Sequence, residues 1–476
     1  MRVMPGPRKA QGQNSFNPEG GAMNQDIFGQ PTLLANPVAL ADWNAAQMAF
    51  LSHGASTPQH LGAVLVAAPD FALGQAVKGM FTLLLGRREL IATAEQALRL
   101  ARAADPAHPR DRAYVAALDL WLQGSLTGAL AQFATILRDY PGDALTMKLD
   151  HALRFVLGDA KGMRQMVETV MPGYGPDHAA RGYLMGCHAF ALEETGDYDL
   201  ARSTGKAALE LSPDDAWGLH AVAHVHDMTA DAQGGIDWLD GREAAWAHCN
   251  NFRYHVWWHK ALMHLDLGQI DQVLALYDRQ IRADKTDDYR DISNATSLLS
   301  RLELEGVDVG DRWEELADFS ARRTDDGCLI FADLHYLLAL VADHRDTAIA
   351  QMMGRLHRDA RAADTDMRRV MANPGLYAAT GLEAFGEAKY ATAFLNLARA
   401  RKTMHHAGGS HAQRDVFERL TIDAGIRAGY LDEAEIILAE RAAQRQGSED
   451  GFAHTRHALI ASGRCASGLG NRAGAA

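Results

Sequence analysis

The sequence predicts an all-α solenoid, a right-handed superhelix of about eleven stacked helical hairpins. Three observations predict it. A repeat of about 34 residues recurs along most of the chain. No run alternates apolar and polar residues as a half-buried strand would. Glycine and proline punctuate the chain at hairpin intervals. The stretch Asp111 to Asp143 carries Gly124, Ala129, Phe133 and Pro141. Gly182 to Asp214 repeats that spacing with Gly196, Tyr198, Ala201, Ala208 and Pro213, and a third copy carries Gly429, Leu431, Ala434 and Leu438. Each copy reads as a helix, a glycine turn, a second helix packed through small residues, and a stop. One hairpin cannot bury its apolar face alone, so neighbours stack and leave a concave inner wall.

Taken in order, the first residues are rich in Gly, Pro, Asn and Gln and lack an apolar signal-peptide core. Residues 1–26 therefore read as a disordered segment. Met23, just ahead of Asn24-Gln25-Asp26-Ile27-Phe28, is a candidate start. Residues 27–462 read as one continuous array. Hairpins start near Val38, Ala72, Arg110, Ala144, Gly182, Ala216, Tyr254, Ile292, Leu329, Ala372 and Asp415. The first two rest on the turns Ser52-His53-Gly54 and Gly86-Arg87-Arg88. Pro69-Asp70, Pro141-Gly142-Asp143 and Pro213-Asp214-Asp215 each stop one helix and offer an Asp to cap the next. The segment His405-His406-Ala407-Gly408-Gly409-Ser410-His411 is the most unusual loop, with two glycines that free the backbone. Residues 463–476, rich in Gly and Ala, read as a flexible tail.

Composition narrows the function. Lys plus Arg is 47 against 60 Asp plus Glu, a net charge of −13, with no basic block to offset it. Nucleic-acid binding depends on neutralising phosphates and is disfavoured. Cys187, Cys249, Cys328 and Cys465 are scattered without a CxxC pair, which fits a reducing compartment. The longest apolar candidate, Leu329 to Ala342, is too short to span a bilayer and carries Asp333 and His335. A soluble cytoplasmic protein with no membrane partner is expected.

The polar chemistry concentrates in two adjacent hairpins. His220 and His224 are four apart and Asp227 follows, so the three share one helix face. His255 and His259 repeat the spacing on the next hairpin, with Trp257 and Trp258 between them. The phasing turns both faces toward the inner wall. Three readings stay open. These His are buried structural imidazoles with Trp filling the core; or they form an acid–base or ligand-binding cluster, with Asp227 orienting a ring nitrogen; or they bind a metal such as zinc through two or three His plus Asp227. The run His220-Ala-Val-Ala-His224 lacks the Glu of the zinc-protease motif, so no metal ligand and no cofactor is assigned.

Other residues carry smaller expectations. His411 is placed to swing from the glycine loop onto the inner wall, or else sits in a helix cap built by Ser410. Asp333 on an apolar helix needs a partner, His335 or a distant His. Asp291 and Asn294 read as capping residues. Trp258 either stacks a ligand or packs the core.

The runs His220-Ala-Val-Ala-His224-Val-His226-Asp227-Met228, Asn251 to His259 and Gly408-Gly409-Ser410-His411-Ala412-Gln413-Arg414-Asp415-Val416-Phe417 resemble the family of tetratricopeptide repeat protein 38. The continuation Gly235-Ile236-Asp237-Trp238-Leu239 fits too, and the resemblance covers nearly the whole chain after about Ile27. It implies an all-helical tetratricopeptide-like superhelix in the cytoplasm and implies no catalytic assignment. Asp227 stands where that pattern leads us to expect Glu, which shortens the carboxylate's reach.

The leading expectation is a concave pocket for a small molecule or short polar ligand. His220, His255, Trp258, His259 and Asp333 would contact the ligand. If the site is hydrolytic, His224 is the base, Asp227 orients it, and His411 is the acid or oxyanion partner. The alternative is an interaction scaffold holding a peptide in the groove.

Overall fold

The computed structural model describes residues 23–473. The residues 1–22 of the expected disordered segment lie outside that range, and Asn24–Gln25 pairs antiparallel with Pro31–Thr32. The rest of the described chain is helical. Eleven helical hairpins follow one another: Pro37–Leu51 with Thr57–Ala67, Ala72–Leu83 with Ile91–Ala103, Pro109–Leu122 with Leu126–Asp139, and Ala144–Val156 with Ala160–Val170. Then come Arg181–Glu194 with Tyr198–Leu211, Ala216–Met228 with Ala232–Leu239, Phe252–Asp266 with Ile270–Leu276, and Tyr289–Leu304 with Arg312–Ala321. Ile330–Ala342 with Asp346–Ala362, Leu376–Gly386 with Tyr390–Arg401, and His411–Ala428 with Leu431–Gln444 complete the set. Helix Gly451–Ala473 runs into the segment expected as a tail from residue 463, and residues 474–476 lie outside the described part. No helix is long and apolar enough to cross a membrane among the described residues.

Local chemistry explains the boundaries. Asp143 caps helix Ala144–Val156 by accepting from the backbone N–H of Thr146 at 3.0 Å, as the Pro141-Gly142-Asp143 run implies. Ser410 and Gln413 form a reciprocal capping box at the start of His411–Ala428. The second helices are amphipathic: Ala160–Val170 buries Gly162, Met163, Met166, Val167 and Val170 along one stripe.

The first helices are different. Every residue from Ala216 to Val225 is buried, as is every residue from Asp291 to Leu302 and from Ile330 to Leu340. An open coil would leave one face of these helices in water. Here the coil closes on itself. Thr127 N donates to Asp366 at 2.8 Å, Tyr198 Oη to the carbonyl of Gln444 at 2.8 Å, and Gly451 N to Asp266 at 2.6 Å. Near the N-terminus, Asn250 N donates to the His53 carbonyl at 2.8 Å, and Arg87 pairs with Asp287. Partners along this seam are separated by 185 to 250 residues. One superhelical turn thus takes roughly six hairpins of about 34 residues, and the next turn docks against it. The inner wall becomes the interior of the molecule.

Candidate functional site

Four histidines meet in that interior. His220 and His224 come from helix Ala216–Met228, His255 and His259 from helix Phe252–Asp266. Four-residue spacing stacks each pair on one face, and adjacent packing brings the two faces together. His224 Nε2 lies 2.8 Å from His220 Nε2, which lies 3.1 Å from His255 Nε2, which lies 3.2 Å from His259 Nε2. One ring nitrogen from each of the four falls within 4.8 Å of the others. All four side chains are buried.

The far nitrogens have their own environment. His255 Nδ1 lies 2.8 Å from Asn294 Oδ1. His224 Nδ1 lies 3.4 Å from Glu193 Oε2, an ion-pair distance rather than a well-formed hydrogen bond. Burial pushes His220 and His259 well below the usual imidazole range and His255 down to about 3. Burial also pulls His224 down, but the Glu193 carboxylate beside it outweighs that and the net shift is upward. Burial raises Glu193 against the opposing pull of His224. Burial thus favours the neutral form at His220, His255 and His259, while the Glu193 carboxylate favours the charged form at His224. Phe190, Trp217 and Phe252 ring His220, and Trp258 stacks on His255 at 5.1 Å.

The structure redistributes the other expected site residues. Asp227 does not orient His224: it faces Arg445, with Oδ1 3.7 Å from Nη2, and the carboxylate at His224 is Glu193 on the preceding hairpin. Asp227 sits one helical turn past His224, where the helix ends against the second superhelical turn. His411 does not face the cluster either. Its backbone N–H donates to Glu194 Oε1 at 2.7 Å and its Nε2 lies 2.9 Å from the Glu194 carbonyl, so it touches the adjoining carboxylate from the far side. Asp333 pairs with Arg355 at 2.7 Å, while His335 Nδ1 contacts the Phe331 carbonyl at 2.7 Å. Trp258 is wholly enclosed by protein. Asn294 is no cap; Asp288 caps that helix by accepting from Arg290 N at 3.0 Å.

Sequence reasoning missed Glu193, Asn294, His151 and Lys148. A Glu193-Glu194 pair closing the otherwise apolar run Ala189-Phe190-Ala191-Leu192 was the legible signal for the first. Nothing local distinguishes Lys148.

Beside the histidines, between the two superhelical turns, is a cavity of about 1190 Å³ that opens to solvent past exposed residues such as Val66 and Leu100. Leu61, Leu65, Phe81 and Leu84 line its apolar end, and Lys148, His151, His220, His255 and Asn294 its polar end. His224 and His259 are not on its wall. Lys148 is 4% exposed. Its ammonium sits 4.8 Å from the centre of the Trp217 ring and 3.8 Å from Cys187 Sγ, and among the described residues it has no carboxylate within ion-pair distance. His151 beside it is pushed down to about 3, by burial first and by Lys148 second. Asp215 is raised to about 7 because burial outweighs the pull of Lys148.

A second, charged cavity of about 430 Å³ lies behind His411, between Arg401, Arg414, Arg441 and Glu418. The expected closure of one pocket by His411 is thus replaced by two separate cavities, and the adjacent Glu193 and Glu194 face His224 and His411 respectively.

No family model matches the sequence. The resemblance to the family of tetratricopeptide repeat protein 38 therefore rests on the sequence runs alone. Among solved structures the chain is similar to one in the complex of Naa15/Naa10 bound to HypK-THB, at 10% sequence identity and a TM-score of 0.21. The match covers 84% of this chain and 62% of that one, so this chain spans about three-fifths of the other's length. At that TM-score the likeness carries no weight for function, and the helical-repeat architecture rests on the eleven hairpins themselves.

Proposed function

We propose that the protein is a helical-repeat scaffold that binds an amphipathic anion, a molecule with an apolar body and an acidic head, in the cavity between the superhelical turns. The observation that carries this reading is Lys148. A buried ammonium without a carboxylate partner is costly, and an anion delivered by a ligand is the partner it lacks. The apolar end offers the remaining surface with walls of leucine and phenylalanine, and the volume is ample for a drug-sized or larger molecule. Hydrolysis in this cavity would have to use an imidazole on its wall, His151, His220 or His255, rather than His224. An extended peptide would need the inner wall open, and the seam between turns covers it.

The test pairs a long-chain fatty carboxylate with the corresponding neutral alcohol as probes. The carboxylate is expected to bind more tightly, by roughly 10- to 100-fold, the worth of about 1.5–3 kcal/mol for a charge-assisted hydrogen bond. Lys148→Met should erase that preference and leave the ligand-free protein as stable as before or more so, because it removes an unpaired buried charge. Equal binding of the two probes, or a preference that survives the substitution, sinks the reading. A stoichiometric protein partner recovered with the cavity empty would favour the scaffold alternative.

A further inference from the structure

We infer that His220, His224, His255 and His259 form a four-imidazole site for one divalent transition-metal ion of the zinc type. The inference does not rest on the cavity ligand: it rests on nitrogen geometry, and although His220 and His255 also line the cavity, His224 and His259 do not.

Four Nε2 atoms converge on one point from two helices. Hydrogen bonding alone does not account for that convergence. With Asn294 Oδ1 as acceptor, His255 Nδ1 carries the ring proton, so in the neutral ring Nε2 presents only a lone pair. The 3.1 Å contact from His220 to His255 then needs its proton from His220. If His220 gives its one Nε2 proton there, its 2.8 Å contact with His224 has no acceptor lone pair on the His220 side. If it gives the proton to His224, two lone pairs face each other across 3.1 Å. One proton cannot serve both contacts fully. A cation at the centre removes the conflict, because every Nε2 then donates a lone pair to the same ion.

The dimensions agree. Zinc–imidazole bonds of about 2.0–2.1 Å place tetrahedral ligand nitrogens about 3.3–3.4 Å apart. The three shortest contacts, 2.8, 3.1 and 3.2 Å, need to open by a few tenths of an ångström on average, and the remaining pairs, which lie within 4.8 Å, need to close onto the same tetrahedron. Neutral imidazole suits zinc, copper, nickel and iron, and the absence of thiolate argues against a cluster site. Two of the four outer nitrogens fit as well, while His220 Nδ1 and His259 Nδ1 are buried without a hydrogen-bond partner among the described residues. Metal-bound imidazoles characteristically turn the other ring nitrogen toward a carboxylate or carbonyl, and here Glu193 and Asn294 stand at His224 and His255. The shell of Phe190, Trp217, Phe252 and Trp258 would limit bulk water at the ion. Four protein ligands leave no position open on a tetrahedral ion, so the ion would tie two hairpins together, with its His220 and His255 side facing the cavity.

The experiment uses the full chain, stripped with a chelator and titrated with Zn²⁺ alone, with bound metal counted by elemental analysis. One ion per chain is expected. Co²⁺ in its place should give the strong visible bands of four-coordinate cobalt, and X-ray absorption on the zinc form should show a nitrogen-only shell at about 2.0 Å. His220→Gln and His259→Gln should each weaken Zn²⁺ binding by about 100-fold or more, at least the loss seen when outer-shell partners are removed. Lys148→Met should leave it unchanged, which separates this site from the cavity reading. The spectroscopic arms need no variant, so a variant that fails to fold leaves the test intact. The inference is overturned if the native chain takes up none of Zn²⁺, Co²⁺, Ni²⁺ or Cu²⁺ stoichiometrically. It is equally overturned if folded His220→Gln and His259→Gln proteins retain full affinity, or if the absorption data place sulfur or fewer than three imidazoles on the ion.

Discussion

Replacing Arg441 with Met is expected to destabilise the protein by about 3–5 kcal/mol, the cost of breaking a buried ion network from one side. Arg441 Nε lies 2.7 Å from Asp415 Oδ1 and its Nη1 lies 3.0 Å from Asp450 Oδ1. Arg419 reaches the same two carboxylates, at 2.6 Å and 3.0 Å. Asp450 also caps the final helix by accepting from Ala453 N at 3.0 Å. The network thus joins helix His411–Ala428, helix Leu431–Gln444 and the start of Gly451–Ala473. Without Arg441, Asp415 and Asp450 keep the close contacts to Arg419 and only longer ones to Arg301 at 3.9 Å and Arg445 at 3.8 Å, so keeping both charged costs more. Burial by itself would raise both, but Arg441 and then Arg419 outweigh it and hold Asp415 and Asp450 below the ordinary carboxylate range. A depressed folded-state pKa contributes stability that is complete above the unfolded value, near 4, and is lost as pH falls through the folded one. Urea melts at pH 7 and at pH 3 check both parts. Wild type should lose stability between them, and Arg441→Met should lose less over the same interval because less of the shift remains. A variant as stable as wild type at pH 7 would show that the network is not a determinant of the fold.

Gly158→Ala is expected to cost about 3–4 kcal/mol and to loosen the seam between superhelical turns. Gly158 has φ of +66°, in the left-handed region, and a Cβ there would lie 1.7 Å from the carbonyl oxygen of His405. That oxygen belongs to the backbone of the second turn and cannot swing aside as a side chain could. The contact is reciprocal: a Cβ on Gly408 would lie 2.5 Å from the carbonyl oxygen of Val156. Two backbones meet where glycine alone fits. Gly196→Ala is the control. Its φ is +83° with nothing within 4 Å of the added carbon, so only the left-handed strain of roughly 1 kcal/mol applies. Hydrogen exchange should rise in residues 404–411 and 144–158 for Gly158→Ala and stay near wild type for Gly196→Ala. Equal effects of the two substitutions would mean that the seam contributes nothing beyond local strain.

The legible part of the fold follows from where local chemistry decides structure. Expected hairpin starts at Ala72, Ala144 and Ala216 coincide with helix starts, because each follows a proline run that stops the preceding helix, and at Ala144 the run also supplies the capping Asp143. Starts at Ile292 and Asp415 came late, since the caps Asp288 and Ser410 lie upstream of the apolar residues that set the phase. Ala372 fell in an irregular turn around Pro374.

The histidine pairs were legible for the same reason: a four-residue interval on a helix sets a common face without help from the rest of the chain. What the sequence by itself determined is the eleven hairpins, the small-residue packing between them and the two pairs of imidazoles on neighbouring inner helices. Only the tertiary structure decided that Glu193 rather than Asp227 meets His224, that Asp333 belongs to Arg355, and that Lys148 faces a cavity with Asp215 nearby but, among the described residues, no carboxylate within ion-pair distance. It also decided that the inner wall is an interior. Those outcomes depend on the small rotation from each hairpin to the next, summed over about six repeats until the coil meets itself. No local pattern records that sum, and it sets which side chains 200 residues apart become neighbours.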